Sequence, residues 1–458
     1  MNKIKILFFT KDKGGVNYFR IETPAIQLRY SNSDLFEVTV KNDLSSKEPD
    51  DIFEEFKDYN IIHYHRSIIN NLEKNLLLIN KLKNNGVKLI VDIDDYWELD
   101  KTNPLHILSL KQNLKEISIQ NIKNADAVTT TTEIFADEIK KYNTNVIVLP
   151  NSVNPLLLPQ YKSNNKFDRD LITISYIAGS SHVYDVQLLN GMVNLLNSDN
   201  ATKGKFRVLL GGFDISGTIG EKHMNEDFIK ILKMLNLYTN RILIKVKQYK
   251  GFIDKITEIP LQVRDAFKNG VFVDKQRPIK PQESVYIKYE HILTDSYRLL
   301  EGEREYMNFL NKFSKDKYIN DESVPYVRRW TSKPNEYAYM LDETDILLAP
   351  LVDNKFNNMK SNLKQVEAST RKIPIICSDV VPYNVDGVDK ENCFLIKSTK
   401  NEGRTWFRAL KKLIIDPELR QSMGNKLYED FKDKYNLENV NKKRVELYKF
   451  LIKTEENV

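Results

Sequence analysis

Lys360, Ser361, Lys364 and Glu367 fall within one short run, Phe356-Asn-Asn-Met-Lys-Ser-Asn-Leu-Lys-Gln-Val-Glu367. The two lysines and the glutamate stand at i, i+4 and i+7, a spacing that puts side chains on one face of a helix. The apolar stretch Ile346–Ala349 before them reads as a short buried strand ended by Pro350. Ile373-Pro-Ile-Ile-Cys377 after them reads as the next strand. The pattern predicts strand, loop, a helix starting near Met359, then strand. Lys360 and Ser361 would sit in the first turn, where free backbone N–H groups and the positive dipole end favour an anion. Lysines there run against the usual acidic preference, a conflict that a bound phosphate removes. Glu367, one turn deeper, can accept hydrogen bonds from a ribose diol. The bland alternative is a solvated lysine face on a surface helix.

Other clusters carry chemistry. Gly14-Gly15-Val-Asn-Tyr18-Phe-Arg20 follows a first strand, and glycine there lets backbone approach a ligand closely. It is not G-x-G-x-x-G, which argues against NAD. His63-Tyr-His65-Arg66 ends a third strand, with both histidines on one face. No third metal ligand stands nearby, so no metal site is predicted. Asp92-Ile-Asp94-Asp95 follows a fourth strand, where its carboxylates could bind hydroxyls or a developing positive sugar centre, with His106 in reach. Gly179-Ser180-Ser181-His182 with Asp185 opens a helix and can cradle a phosphate on backbone N–H groups. Arg329 and Trp330 end a late strand.

Phe356 to Glu367 matches the form F-N-x-x-K-S-x-x-K-x-x-E and resembles the donor-binding region of GT-B glycosyltransferases, especially divergent relatives of glycosyltransferase family 4. The usual family pattern has two glutamates eight residues apart; Glu367 fits the second, and Met359 stands where the first would be. The resemblance implies a metal-independent, retaining transferase with no cofactor beyond its co-substrate, a nucleotide-diphosphate sugar, UDP-sugar favoured. It implies donor contacts from Gly15, Gly179, Ser180, His182, Lys360, Ser361, Lys364 and Glu367, and from Arg329 and Trp330 at the junction that meets the nucleobase. Acceptor contacts would come from Tyr18, Arg20, Asp95 and His106, and catalytic roles from Lys360, His65 and Asp94. Asp92-Ile-Asp94 also matches the Asp-x-Asp of GT-A enzymes, which binds manganese, but the rest of the chain does not read as one GT-A domain.

The elements that must position these residues alternate strand and helix twice, which means parallel sheets covered on both faces. Strands are predicted at Ile4–Phe9, Phe36–Val40, Ile61–Tyr64, Leu89–Asp92, Ala127–Thr130 and Val146–Leu149, with the longest helical pattern at Leu105–Lys123. A linker at 162–170 leads to Leu171–Ile177 and Phe206–Leu210. Alternation resumes at Val324–Arg328 and runs through Cys393–Ile396, before a helical tail from about Thr405 to Lys453. The fold class is thus α/β, GT-B architecture: two Rossmann-like, doubly wound domains facing a cleft. The first covers 1–165 with the C-terminal helix 436–458 packed back onto it; the second covers 166–435, with an insertion at about 213–322 that is too long for an ordinary connection.

The chain has 458 residues, 41% hydrophobic and 29% charged, and a formal charge of +6, which permits anionic ligands without demanding nucleic acid. Cys377 and Cys393 lie in apolar runs and are expected to pack as free thiols, as in a reducing cytoplasm. No signal peptide or membrane-spanning run is expected. The expected activity is hexosyl transfer to a hydroxyl acceptor. The acceptor is a saccharide or polysaccharide, or, as the alternative, a hydroxymethylated base in duplex DNA, with the Lys- and Tyr-rich segment 245–288 able to bind either. A catalytically silent nucleotide-sugar binder and an epimerase of the same fold are the other readings.

Overall fold

The structure is a computed structural model and describes residues 3–99, 106–154, 171–179, 182, 185–212, 292–293, 326–330, 338–397 and 402–453. The linker at 162–170, nearly all of 213–322, Ser180 and Ser181 lie outside these residues, and of Trp330 only the backbone belongs to them. Two six-stranded sheets carry the chain. The first joins β1 (Ile4–Phe9), β2 (Phe36–Lys41), β3 (Ile61–His65), β4 (Lys88–Ile93), β5 (Ala127–Thr130) and β6 (Val146–Val148) in the order β2-β1-β3-β4-β5-β6. The second joins β7 (Ile172–Ile177), β8 (Phe206–Gly212), β9 (Tyr326–Trp330), β10 (Ile346–Ala349), β11 (Ile375–Ser378) and β12 (Phe394–Ile396) in the order β12-β11-β10-β7-β8-β9. Every pairing is parallel.

Parallel strands covered on both faces need apolar residues on both. In β1, Leu7 and Phe9 enter one core cluster while Ile6 and Phe8 enter the cluster on the other face. In the second sheet, Ile174, Tyr176 and Leu348 pack to one side and Ile177, Leu347 and Ala349 to the other. Burying one such side chain contributes roughly 1.5–3 kcal/mol. Cys377 and Cys393 are free and buried.

Strand order reverses between β1 and β3 in one sheet and between β7 and β10 in the other, and doubly wound sheets bind ligands at the carboxyl ends of strands at such points. The connections there are where sequence and structure differ most. After β1 the chain makes a π-helical segment, Asn17–Glu22, before the α-helix Thr23–Ser31. That wider turn carries Phe19 into the core cluster of the second sheet. The helical pattern ending at Lys123 splits into His106–Lys111 and Leu114–Asn124, because Asn113 takes a left-handed conformation (φ 51°).

Two crossings join the lobes side by side. The Val153 N–H donates to the Tyr435 carbonyl (3.1 Å), and the Leu437 N–H donates to the Val153 carbonyl (3.2 Å). Beyond this bridge the last helix, Leu437–Lys453, lays Leu447, Tyr448 and Leu451 against Ile6 and Phe8 of the first lobe. Among the described residues no helix is long and apolar enough to cross a membrane.

Candidate active site

A cavity of about 400 Å³ opens between the lobes. The first lobe supplies Gly15, Arg20, Asp94, Asp95 and Asn151 to its wall; the second supplies Gly179, His182, Lys360, Ser361, Lys364 and Glu367. Both switch points therefore face one space.

The lysine segment departs from the sequence expectation. Instead of one helix from Met359, a single turn at Lys355–Asn358 is followed by Met359–Asn362 and then the helix Leu363–Thr370. Lys360 and Ser361 precede that helix, and Lys364 occupies its first turn. The physical cause is local packing. Phe356 and Met359 rest on the first-lobe core. The Asn362 side chain donates to the Tyr435 hydroxyl (2.6 Å) rather than capping the helix. Met359 is thus an apolar inter-lobe contact.

Lys360 lines the cavity. Its Nζ stands 3.4 Å from His182 Nε2 and 5.0 Å from the centre of the Phe356 ring. Among the described residues it has no carboxylate partner. Lys364 Nζ lies 3.0 Å from Glu367 Oε2, with Glu367 only 2% exposed. Burial disfavours the charged form of each partner: it pushes the Glu367 carboxyl up to about 8 and the Lys364 ammonium down to about 8.

Asp185 ties this wall together. Its Oδ2 lies 2.7 Å from His182 Nδ1, and its Oδ1 accepts from the Val352 N–H (2.8 Å) after β10. The carboxylate joins the turn after β7 to the loop that leads to Lys360. Gly15 and Gly179 complete the cradle. A β-carbon at either position would meet no protein atom within 4 Å, so a side chain there would enter open space at the cavity wall.

On the opposite wall, Asp94 accepts from His65 Nε2 (2.7 Å) and Arg66 (2.9 Å), and Arg66 also reaches Asp95 (2.9 Å). The cations Arg66 and Arg20, with the His65 hydrogen bond, outweigh burial and hold Asp94 well below the usual carboxylate range. It stays a pure acceptor at neutral pH.

Arg20 lines the cavity, but its guanidinium is engaged. It makes a two-point pair with Asp92 (2.6 and 3.0 Å) and donates to the Leu149 carbonyl (2.6 Å) and to Asn151 (3.2 Å). The Asn151 amide in turn donates to Ser361 Oγ across the cleft (2.8 Å). Arg20 therefore acts on the site through Asn151 rather than by offering a free donor.

Other residues singled out from sequence stand away from the wall. His65 acts through Asp94. His63 is fully buried between the Tyr448 hydroxyl (2.7 Å) and Thr129 (3.0 Å), and burial drops its pKa to about 3. Tyr18 packs against the second-lobe core. His106 bonds the Leu99 carbonyl (2.8 Å). Arg329 is buried in an ion pair with Glu343 (3.0 Å), so it is not brought to the cavity. No cluster of three or more potential metal ligands occurs among the described residues.

Sequence reasoning gave no role to Asn151, Tyr176 or Tyr383. The tyrosines carry no polar spacing signal, and Asn151 acts through partners more than a hundred residues away. Asp92, singled out with Asp94, is buried against Arg20 and Thr129 and does not reach the cavity.

No protein-family model and no curated protein matches the chain. Solved structures do. Anabaena HepE, solved in complex with UDP-glucose, matches with TM-score 0.55 at 10% identity, over 99% of this chain and 100% of that one. Sucrose-phosphate synthase from Thermosynechococcus elongatus matches with TM-score 0.53 at 11% identity, over 99% and 100%. The chain has the GT-B fold. An alpha-glucosyltransferase solved with UDP and a 13-mer DNA containing an HMU base matches with TM-score 0.51 at 13% identity, over 98% and 99%. At these identities the likeness establishes architecture, and the GT-B cleft of this chain is the cavity described above.

Proposed function

We propose that this protein is a glycosyltransferase that moves a hexose from a nucleotide-diphosphate sugar, UDP-sugar favoured, to a hydroxyl of a saccharide acceptor. The observation that carries the reading is Lys360: an ammonium at the wall of the inter-lobe cavity, held by an imidazole and a ring instead of a carboxylate. An anion would complete it. Lys364 and the cradle at Gly179 lie on the same wall, as a diphosphate requires, and Glu367, which lines the same cavity, supports a contact to the ribose hydroxyls.

In such a transfer the anomeric C–O bond breaks with oxocarbenium character and charge builds on the departing diphosphate. Fixed cations stabilise that charge without reorganising. Asp94, held ionised on the opposite wall, orients hydroxyls of the sugar or acceptor. Retention follows if the departing phosphate oxygen takes the acceptor proton on the same face. Lys360→Ala should lower turnover ~10²–10³-fold, as loss of one such donor does.

A second reading rests on Met359. With an apolar side chain where the family resemblance puts a carboxylate, the site could bind nucleotide sugar without transferring it. The test is incubation with UDP-sugars and a panel of saccharides, with modified duplex DNA as a parallel arm, followed by mass spectrometry. A hexose mass increment on a saccharide supports the proposal. An increment only on DNA reassigns the acceptor. Nucleotide-sugar binding with neither hydrolysis nor transfer establishes the silent binder.

A further inference from the structure

Lys360 owes its position to a neutral histidine, and the geometry points to how that histidine is kept neutral. Asp185 is 4% exposed and acceptor-only when ionised, so a contact of 2.7 Å to His182 Nδ1 requires the ring proton on Nδ1. The lone pair is then on Nε2, the atom that faces the Lys360 ammonium at 3.4 Å. A proton on Nε2 would set two donors against each other there.

We propose that Asp185, His182 and Lys360 form an orienting relay: the carboxylate fixes the imidazole tautomer, and the bare Nε2 holds the ammonium at the cavity wall. His182 is then a positioning residue and not a phosphate donor, since its only ring N–H is already given to Asp185. The relay rests on the reading of Lys360 as the diphosphate cation only for its purpose; its geometry stands without a ligand.

The surroundings agree. The charged groups facing His182 are Asp185 from its own turn, and Lys360 and Lys364 from the segment after β10; the Tyr176 hydroxyl donates to its carbonyl (3.1 Å). Burial and the two ammonium groups favour the neutral ring and outweigh Asp185, so its pKa lies below the ordinary value of 6.5. Asp185 also anchors Val352 and reaches Asn357 (3.5 Å), so one carboxylate sets both the imidazole and the loop bearing the lysine.

The test needs no nucleotide. In ¹⁵N-histidine-labelled protein, with His182 assigned from the spectrum of His182→Gln, the expected state at pH 7.5 is a protonated Nδ1 and a bare Nε2. Lys360→Met should raise the titration midpoint of His182, because the repelling charge is gone. Asp185→Asn should move the proton toward Nε2. A proton on Nε2 in the wild type, or an unchanged midpoint in Lys360→Met, overturns the relay.

A binding cycle with UDP-glucose, whose diphosphate diester does not titrate between pH 5 and 8, then reads its effect. His182→Ala should weaken binding about tenfold, the loss of one charge-assisted hydrogen bond, and His182→Gln, which restores an acceptor oxygen, should recover part of that. In a Lys360→Ala background the His182→Ala loss should vanish. Losses that multiply instead would make His182 an independent ligand contact and overturn the relay. A wild type with the expected tautomer but no affinity for any nucleotide sugar would sink the donor assignment and leave the relay standing.

Discussion

Raising the pH should weaken nucleotide binding through Lys364 specifically. Burial lowers its pKa from 10.5 to about 8, so its charged form is disfavoured by about 3 kcal/mol relative to water. An arriving diphosphate restores much of that by direct attraction and raises the pKa again. The sign follows from linkage. The free protein releases the Lys364 proton as pH passes about 8, the complex retains it, and binding above that pH requires proton uptake. The Lys364 contribution should leave affinity for UDP flat up to about pH 7, halve it near pH 8 and lower it about tenfold by pH 9.

Glu367, 3.0 Å from Lys364 and raised by burial to about 8, titrates in the same window, so the comparison is made in a Glu367→Gln background with and without Lys364→Met. The uracil ring and Lys11, which burial lowers to about 8, titrate equally in both proteins and cancel in the ratio of affinities. Calorimetry at pH 8, in buffers of differing ionisation enthalpy, should show about half a proton taken up by the protein with Lys364 in excess of the Lys364→Met variant. A ratio of the two affinities that stays constant from pH 7.5 to 9, or net proton release, would refute the argument.

Three further outcomes follow from the same geometry. Gly179→Val places branched carbons in open space at the cavity wall; UDP-induced thermal stabilisation should disappear, while the melting temperature of the free protein stays within a few degrees. Arg20→Ala leaves Asp92 buried and without its guanidinium, so urea unfolding should show a loss of ~3–5 kcal/mol, the usual cost of breaking a buried pair from one side. Ser361→Ala removes the acceptor of the Asn151 amide; about 0.5–1.5 kcal/mol of inter-lobe contact is lost, read as faster amide exchange in the segment 355–362 with little change in global stability.

Much of the fold was legible in the chain because parallel strands buried on both faces write themselves as apolar runs. Ile61–His65 and Ile346–Ala349 could hardly be anything else. Glycines after β1 and β7 and lysines after β10 marked the carboxyl ends of the strands, where such folds bind ligands. The sequence misled where tertiary contacts overrode local periodicity. The i, i+4, i+7 spacing from Lys360 to Glu367 suggested one helix, but Phe356 and Met359 packing on the other lobe, and Asn362 bonding Tyr435, break it between Asn358 and Leu363. Arg329 was expected at the nucleobase because it ends a strand; Glu343, its partner, is fourteen residues away and carries no periodic signal. Arg20 looked like a free donor because Asp92 is seventy-two residues away. Sequence patterns expose backbone geometry and local faces; which polar groups neutralise one another is decided by the fold.

The most direct measurement is the position of the β-phosphate in a crystal structure of the UDP complex. It should lie in the inter-lobe cavity, within hydrogen-bonding reach of Lys360 Nζ and the backbone at Gly179, with Lys364 on the same diphosphate. A β-phosphate bound elsewhere, with the Lys360 ammonium left facing water, would contradict the account at its centre.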